Sequence, residues 1–412
     1  MKLVSGTPPW ERTLPNPQAY PKLDEDISCD CLIVGGGMGG ALLAHRLSST
    51  GARTVLIDKR RIGGGSTQAN TGLLQTFNDK SLTSCIHSFG EDQAVQFYRM
   101  CREAVRAIIR LGKEMEADLE VLPRHSLYYA GTEQEAGLLR EEYANLRKHG
   151  FEVEWWEPER ISEAFPFSKP GALYSPGDAE INPYRAVHAL VAEAAARGVR
   201  VFEHTKAVRY EHTPHEVVCH TPGGRITAKE IVFAMGYETQ ELKKDRGAVL
   251  VNTYAVMTRP LVRLPEWPDR CLIWETARPY SYFRTTPDRR IIAGGRDEAL
   301  TDSGRRETRV LSQGRSLLED IRRLFPGTEG LELEYAWGGV FGTTHDGLPF
   351  IGPHPDYPRC YFIEGYGGNG TVYSMIAAEL LADAVQGIER PELSLFSLTR
   401  SPKTPPASGS SG

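Results

Sequence analysis

The chain has 412 residues, 40% of them hydrophobic and 25% charged, and a formal net charge of −5 at pH 7. That charge offers nucleic acid and anionic membranes no basic footprint, and no apolar run reaches the roughly 20 residues a bilayer crossing needs. The length predicts two or three domains with large cores, and the lack of a leading apolar stretch makes a cytoplasmic globular protein the expectation.

Residues 1–26, rich in Pro and charge, read as an extended arm on the surface. "CLIVG" (31–35) then reads as a buried strand, Gly39–Ser49 as a helix and Arg53–Asp58 as the next strand, which makes a βαβ unit. The intervening turn carries Gly35, Gly37 and Gly40 in G-x-G-x-x-G, with Met38 and Gly39 inside it. Such glycines permit the turn and let backbone approach a pyrophosphate seated on the helix N-terminus. Asp58 lies 18 residues beyond Gly40, near the separation of about 20 usual for the acid that accepts ribose hydroxyls. The motif alone leaves NAD and FAD both open.

A second cluster follows at once in "KRRIGGGSTQANTGLLQ", containing Gly65, Ser66, Thr67, Thr71, Gly72 and Leu73. Small residues there let the backbone run beside a broad planar ring, and a plain NAD domain needs no such loop. Apolar positions from Ala94 to Gly112 recur at helical steps. "INPYRAVHALVAEAAARG" has Asn182 as an N-cap, Pro183 at the first helical position and Gly198 as a stop. Strand character returns through Phe233, and residues 249–296 read as an antiparallel sheet. Near the end "GYGGNGTV" opens a helix starting near Thr371, closed by Gly387, whose positive end suits the negative charge of a reduced flavin. The seven cysteines are scattered and odd in number, so no disulfide framework is expected. Cys29 and Cys31, two apart on a strand, are expected to share a face and to pack rather than bind metal. Residues 391–412 read as a disordered tail.

Taken in order, "IVGGGMGG", "VLIDKRRIGGGSTQANTGLL", "INPYRAVHALVAEAAARGV", "IVFAMGYET", "YAWGGVFGTTHDGLPFIG" and "EGYGGNGTVYSMIAAELLADAVQG" resemble the D-amino-acid oxidase, glycine oxidase and sarcosine oxidase superfamily of FAD-dependent oxidoreductases. The resemblance spans about residues 28–388. It implies an α/β fold: a Rossmann-like FAD-binding domain of discontinuous segments (27–110, 180–247, 337–390) and a substrate domain with a mainly antiparallel sheet (111–179, 248–336). By match to motif, Gly35–Gly40 would hold pyrophosphate. Asp58, Lys59 and Arg60 would lie by the adenosine ribose, and Val208 would meet adenine through its backbone. Ser66, Thr67 and Asn70–Leu73 would approach phosphate and isoalloxazine. Gly236, Gly339, Gly367, Gly368, Asn369, Gly370 and Thr371 would line the cofactor.

Departures from the family pattern locate the substrate question. Positions where relatives tether flavin by Cys or His match Gly339 and Ala69, so FAD is expected to be non-covalent. The carboxylate-clamping Arg, five residues before the Asp of T-x-D-G, matches Phe341, an apolar wall instead of a bidentate donor. Lysines that assist oxygen chemistry or clamp carboxylate match Ile292 and Val372. Tyr282 and Arg284, two apart on a strand, share a face and are the expected replacements, with Arg284 receiving an anionic group. His345 is a candidate base or polar contact. The expected reaction is oxidation of a C–N bond in a small amine or N-substituted amino acid by hydride transfer to flavin N5, with oxygen or a quinone or carrier as acceptor. The alternatives are a flavin dehydrogenase of a hydroxy acid or similar CH–OH substrate, and a non-catalytic FAD-binding subunit.

Overall fold

A computed structural model describes residues 1–243, 247–299, 302–365 and 367–400. Two sheets organise them. In the smaller, strands Arg200–Phe202, Thr54–Ile57, Ile27–Val34, Gly224–Phe233 and Tyr357–Glu364 run parallel in that spatial order, and Phe350–His354 closes the edge antiparallel. Their apolar runs are buried on both faces, as a parallel sheet under helices requires. Leu43 and Leu47 of helix Met38–Leu47, with the helices Pro183–Ala196 and Gly370–Ala384, pack on the face carrying Ile33 and Leu56. Asn182 caps its helix as the sequence predicts, accepting from Arg185 N at 3.1 Å.

The larger sheet is antiparallel except where Leu272–Glu275 runs parallel to Leu122–Tyr129. The 22-residue helix Ser303–Leu324 covers one face, burying Val310, Leu317 and Ile321 against Val256, Ile273 and Phe283. The expected boundary at residue 337 falls inside strand Leu333–Thr344, all of which belongs to this sheet, and the expected boundary at 110 falls inside helix Glu91–Glu114.

Two expectations are corrected, and one gains detail. The N-terminal arm is exposed along much of its length and anchored at a few points: Val4–Gly6 adds an edge strand beside Trp337–Gly339, and Leu3, Trp10 and Leu23 are buried. Enclosing an indole like Trp10 stabilises the arm's docking by about 2–3 kcal/mol, enough to overcome its Pro-rich, charged composition. Cys29 and Cys31 do not share a face. The amides of Asp30 and Cys31 both donate to Arg53 O, which kinks the strand, so Cys29 enters the core with Val34 while Cys31 enters the core with Ile33. Residues 391–400 are ordered: Leu395, Phe396 and Leu398 are buried, and Arg400 grips both carboxylate oxygens of Asp346 at 2.7 and 2.9 Å. Residues 401–412 of the expected tail lie outside the described residues. Among the described residues no helix is long and apolar enough to cross a membrane.

Candidate functional site

A cavity of about 460 Å³ opens where the C-terminal ends of the parallel strands meet the larger sheet. One side is backbone. Gly35, at φ +115°, turns the chain under Ala234, whose carbonyl oxygen would lie 2.4 Å from any added Cβ. Gly37 caps the helix with backbone alone, and Met38 N donates to Thr67 Oγ1 at 3.2 Å, fastening the second glycine cluster to the first. Asp58 lines the cavity, and its two carboxylate oxygens accept Gly36 N at 2.8 Å and Arg60 N at 2.7 Å. Burial raises its carboxyl above the usual range against these bonds. Lys59 and Arg60 converge on Glu238, at 3.0 and 2.6 Å. Burial would raise the Glu238 carboxyl, but Arg60 and Lys59 together hold it below its ordinary value.

The second loop is held by indoles. Trp10 Nε1 donates to Asn70 O at 2.8 Å and Trp337 Nε1 to Ala69 O at 3.0 Å. Asn70 then reaches Thr371 Oγ1 at 2.9 Å, joining this loop to the start of helix Gly370–Ala384. That helix, like Met38–Leu47, has no side-chain cap. Two uncapped positive helix ends therefore border one cavity, with Gln75 Nε2 and Trp274 Nε1 on its wall as donors lacking a partner. This donor set fits a dinucleotide with a pyrophosphate and an electron-rich ring.

Most of the expected cofactor residues line the cavity: Gly35, Gly37, Met38, Gly39, Asp58, Lys59, Arg60, Gly65, Ser66, Thr67, Asn70, Thr71, Leu73, Val208, Gly236 and Gly367–Thr371. Val208 N already donates to His220 O at 2.9 Å. Three do not line it. Gly40 is a packing residue, where a Cβ would come 1.8 Å from Gly35 O. Gly72, at φ +79°, is pressed against Ile181 O and Arg284. Gly339 abuts Ala69, with 2.9 Å between an added Cβ and that methyl. These two positions, matched to tethering residues in relatives, thus meet each other with no nucleophile between them. Among the described residues no Cys or His lines the cavity, and all seven cysteines are buried.

The larger sheet and its loops contribute Thr253, Trp274, Tyr280, Tyr282 and Phe341 to the cavity lining. Tyr282 faces Gly294 across the strand pair, where the missing side chain leaves room for its ring, and its hydroxyl accepts from Thr71 Oγ1 at 3.3 Å. Burial pushes this phenol well above its ordinary value, so it is neutral.

Arg284 and His345 are not brought to the cavity, which corrects both expectations. Arg284 is 2% exposed; its Nε donates to Thr71 O at 2.6 Å, Nη1 to Thr285 O at 2.9 Å and Nη2 to Ile181 O at 3.4 Å, with Glu180 at 3.6 Å. A guanidinium so engaged braces the second loop from behind and has no face left for a substrate anion. His345 lies in the turn after strand Leu333–Thr344, 3.5 Å from the Asp346 carboxylate that Arg400 occupies. Ile292 is buried beside Trp10 and Trp337. The sequence reading passed over Asp79 and Trp274, both on the cavity wall. Trp274 opens the same stretch, residues 274–286, that carries Tyr280 and Tyr282 and pairs with Tyr282 across a hairpin, whereas only the fold brings Asp79 beside them.

Comparison with known proteins agrees with this geometry. A family-wide sequence model described as "FAD dependent oxidoreductase" (DAO) matches residues 30–384. Glycine oxidase of Geobacillus kaustophilus is 28% identical over 400 residues, covering 90% of this chain and 97% of the relative. The crystal structure of a glycine oxidase from that organism superposes with a TM-score of 0.77 at 26% identity, covering 91% of this chain and 99% of the other. Gamma-glutamylputrescine oxidoreductase of Escherichia coli (strain K12) is 26% identical, covering 89% of this chain and 86% of the relative.

Proposed function

The chain belongs to the DAO family of FAD-dependent oxidoreductases, and on that premise we propose that it oxidises a C–N bond of a small amine or N-substituted amino acid. Among the relatives, glycine oxidase and gamma-glutamylputrescine oxidoreductase carry names for that chemistry. The observation that carries the reading is that Trp274, Tyr280, Tyr282 and Phe341 line the same cavity as the glycine loops.

In this reading Gly35–Met38 and Ser66–Thr67 would hold the pyrophosphate, Asp58 and Val208 the adenosine, and Asn70–Leu73 with Gly367–Thr371 the ring, without a covalent tether. When bound, FAD supplies a two-electron hydride acceptor. The chain's own contribution is positioning: Tyr282 and Phe341 set the substrate carbon against the ring, and the aromatic wall excludes water, which favours an uncharged reacting nitrogen. Electrons then pass to oxygen or to a quinone or carrier, and peroxide yield during turnover identifies which.

Anaerobic rapid mixing of the holoenzyme with secondary and primary amines, and with 2-hydroxy acids, tests the reading. Flavin bleaching by an amine with formation of an aldehyde supports it. Bleaching by a hydroxy acid and by no amine overturns it.

A further inference from the structure

Asp79 is exposed at the cavity wall. Its Oδ2 accepts Gly368 N at 3.1 Å, and the approach is so close that a Cβ on Gly368 would sit 2.4 Å from that oxygen. The loop carrying it is fixed from below. Asn369 Nδ2 donates to Gln75 O and, at 3.1 Å, to Asn78 Oδ1, which also accepts the Tyr373 hydroxyl at 2.9 Å. Asn78, Asn369 and Tyr373 are all buried. Asp79 is therefore presented rigidly, from the loop that adjoins the uncapped start of helix Gly370–Ala384.

Its surroundings are aromatic, with a second carboxylate, Asp297, in electrostatic reach of the same rings and of Asp79. The Tyr280 and Tyr282 rings lie 5.8 Å apart, both within electrostatic reach of Asp79, and Trp274 stacks on Tyr128 at 3.6 Å. Arg278 attracts the carboxylate from a distance, but its guanidinium is occupied by the carbonyls of Glu275, Thr276 and Ala277 and lies over the Tyr280 ring at 4.9 Å. Among the described residues no cation stands within ion-pair distance of Asp79. Crowding by protein raises its carboxyl above the ordinary range, so it gains from a positive partner and accepts a proton readily.

We infer that Asp79 determines substrate specificity, its carboxylate receiving the ammonium of an alkylamine while Tyr280, Tyr282 and Trp274 enclose the attached carbons. Cation–π attraction adds to the charge pairing. The proton moves from the ammonium nitrogen to a carboxylate oxygen of Asp79, which leaves a neutral Asp79 and a nitrogen lone pair that would form the C=N bond as the adjacent hydride leaves for the bound flavin. Phe341 adds a further apolar face to the same cavity. This inference rests on the amine reading above and narrows it.

The test is titration of the holoenzyme with tetramethylammonium chloride, a cation without an N–H, followed by flavin absorbance, with tert-butanol as the neutral mimic. Wild type should bind the cation saturably and in preference to the alcohol. Asp79→Asn should weaken the cation by about tenfold or more and leave the alcohol unchanged, while Asp79→Glu should stay within about threefold of wild type. Equal cation binding in wild type and D79N overturns the inference, and so does wild-type preference for the alcohol, which needs no variant and stands even if D79N loses flavin. Amine turnover separates the two readings. Asp79-dependent cation binding without flavin reduction by any amine upholds the site and sinks the amine reaction. Flavin reduction by N-methylethylamine at equal KM in wild type and D79N upholds the reaction and sinks the role of Asp79.

Discussion

The two sides of the cavity are built on different principles. The glycine side is made of main chain: Gly35, Gly37 and Gly367 leave room, helix ends supply charge, and Asp58 and Asn70 tie loops together through backbone or neighbouring loops. The other side is made of side chains delivered by separate strands, Tyr282 from Ser281–Thr285, Phe341 from Leu333–Thr344 and Trp274 from Leu272–Glu275. A backbone cradle accepts almost no added atom, whereas a side-chain wall can be re-cut without disturbing its scaffold. In the reading proposed above, the first side fixes the cofactor and the second is free to choose the substrate.

The sharpest way to break this contrast is to add atoms to the glycine side. Gly40→Ala places a methyl 1.8 Å from Gly35 O, and neither main-chain segment can yield without moving the loop. A loss of about 3 kcal/mol or more is expected, with purified protein largely free of flavin. Thermal unfolding and the absorbance ratio of flavin to protein check it. Arg284→Met comes next, because it strands the carbonyls of Thr71 and Ile181 and leaves Glu180 to Arg124 alone. Stability should fall by roughly 2–3 kcal/mol with KM of the surviving enzyme within about twofold of wild type. A KM rise confined to anionic substrates would instead restore a binding role to Arg284.

A third effect concerns Asp178, buried behind the Gln75–Asp79 loop, where it accepts Thr76 N at 2.7 Å and Ser126 Oγ at 2.5 Å. Burial raises its carboxyl to about 6, from an ordinary value of 3.8. The native state then holds more protons than the unfolded chain between those values, so Asp178 makes stability fall as pH rises from about 4 through about 6, by roughly 2 kcal/mol. Asp178→Asn should flatten that slope in denaturant titrations across the range. An unchanged slope would show that the carboxyl titrates normally. The smallest effect is on the side-chain wall: Phe341→Arg should keep flavin bound and lower KM for N-methylalanine by about tenfold, near 1.4 kcal/mol.

The same contrast decides what sequence reading could see. Gly35, Gly37 and the Ser66–Leu73 loop are legible because backbone geometry demands particular residues at fixed spacing. The antiparallel sheet and the Asn182 cap are legible for the same local reason. Arg284 was misplaced because strand periodicity reports which side of a sheet a residue faces but not what lies there. The loop Thr71–Gly72 sits between it and the cavity. Asp79 escaped notice because its meaning comes from Gly368, 289 residues away, and from Tyr280, just ahead of strand Ser281–Thr285. The arm's extended, surface-packed character is legible in its composition, but its anchors Leu3 and Trp10 are not, because their partners, Asn70 among them, are remote in sequence.

The most direct test of a substrate side shaped for amines is the ratio of kcat/KM for N-methylethylamine to that for N-methylalanine, which differ only by a carboxylate. The account predicts a ratio of about ten or more in wild type, falling toward one in Asp79→Asn. A wild-type enzyme that prefers N-methylalanine, with the preference untouched by that substitution, would contradict it.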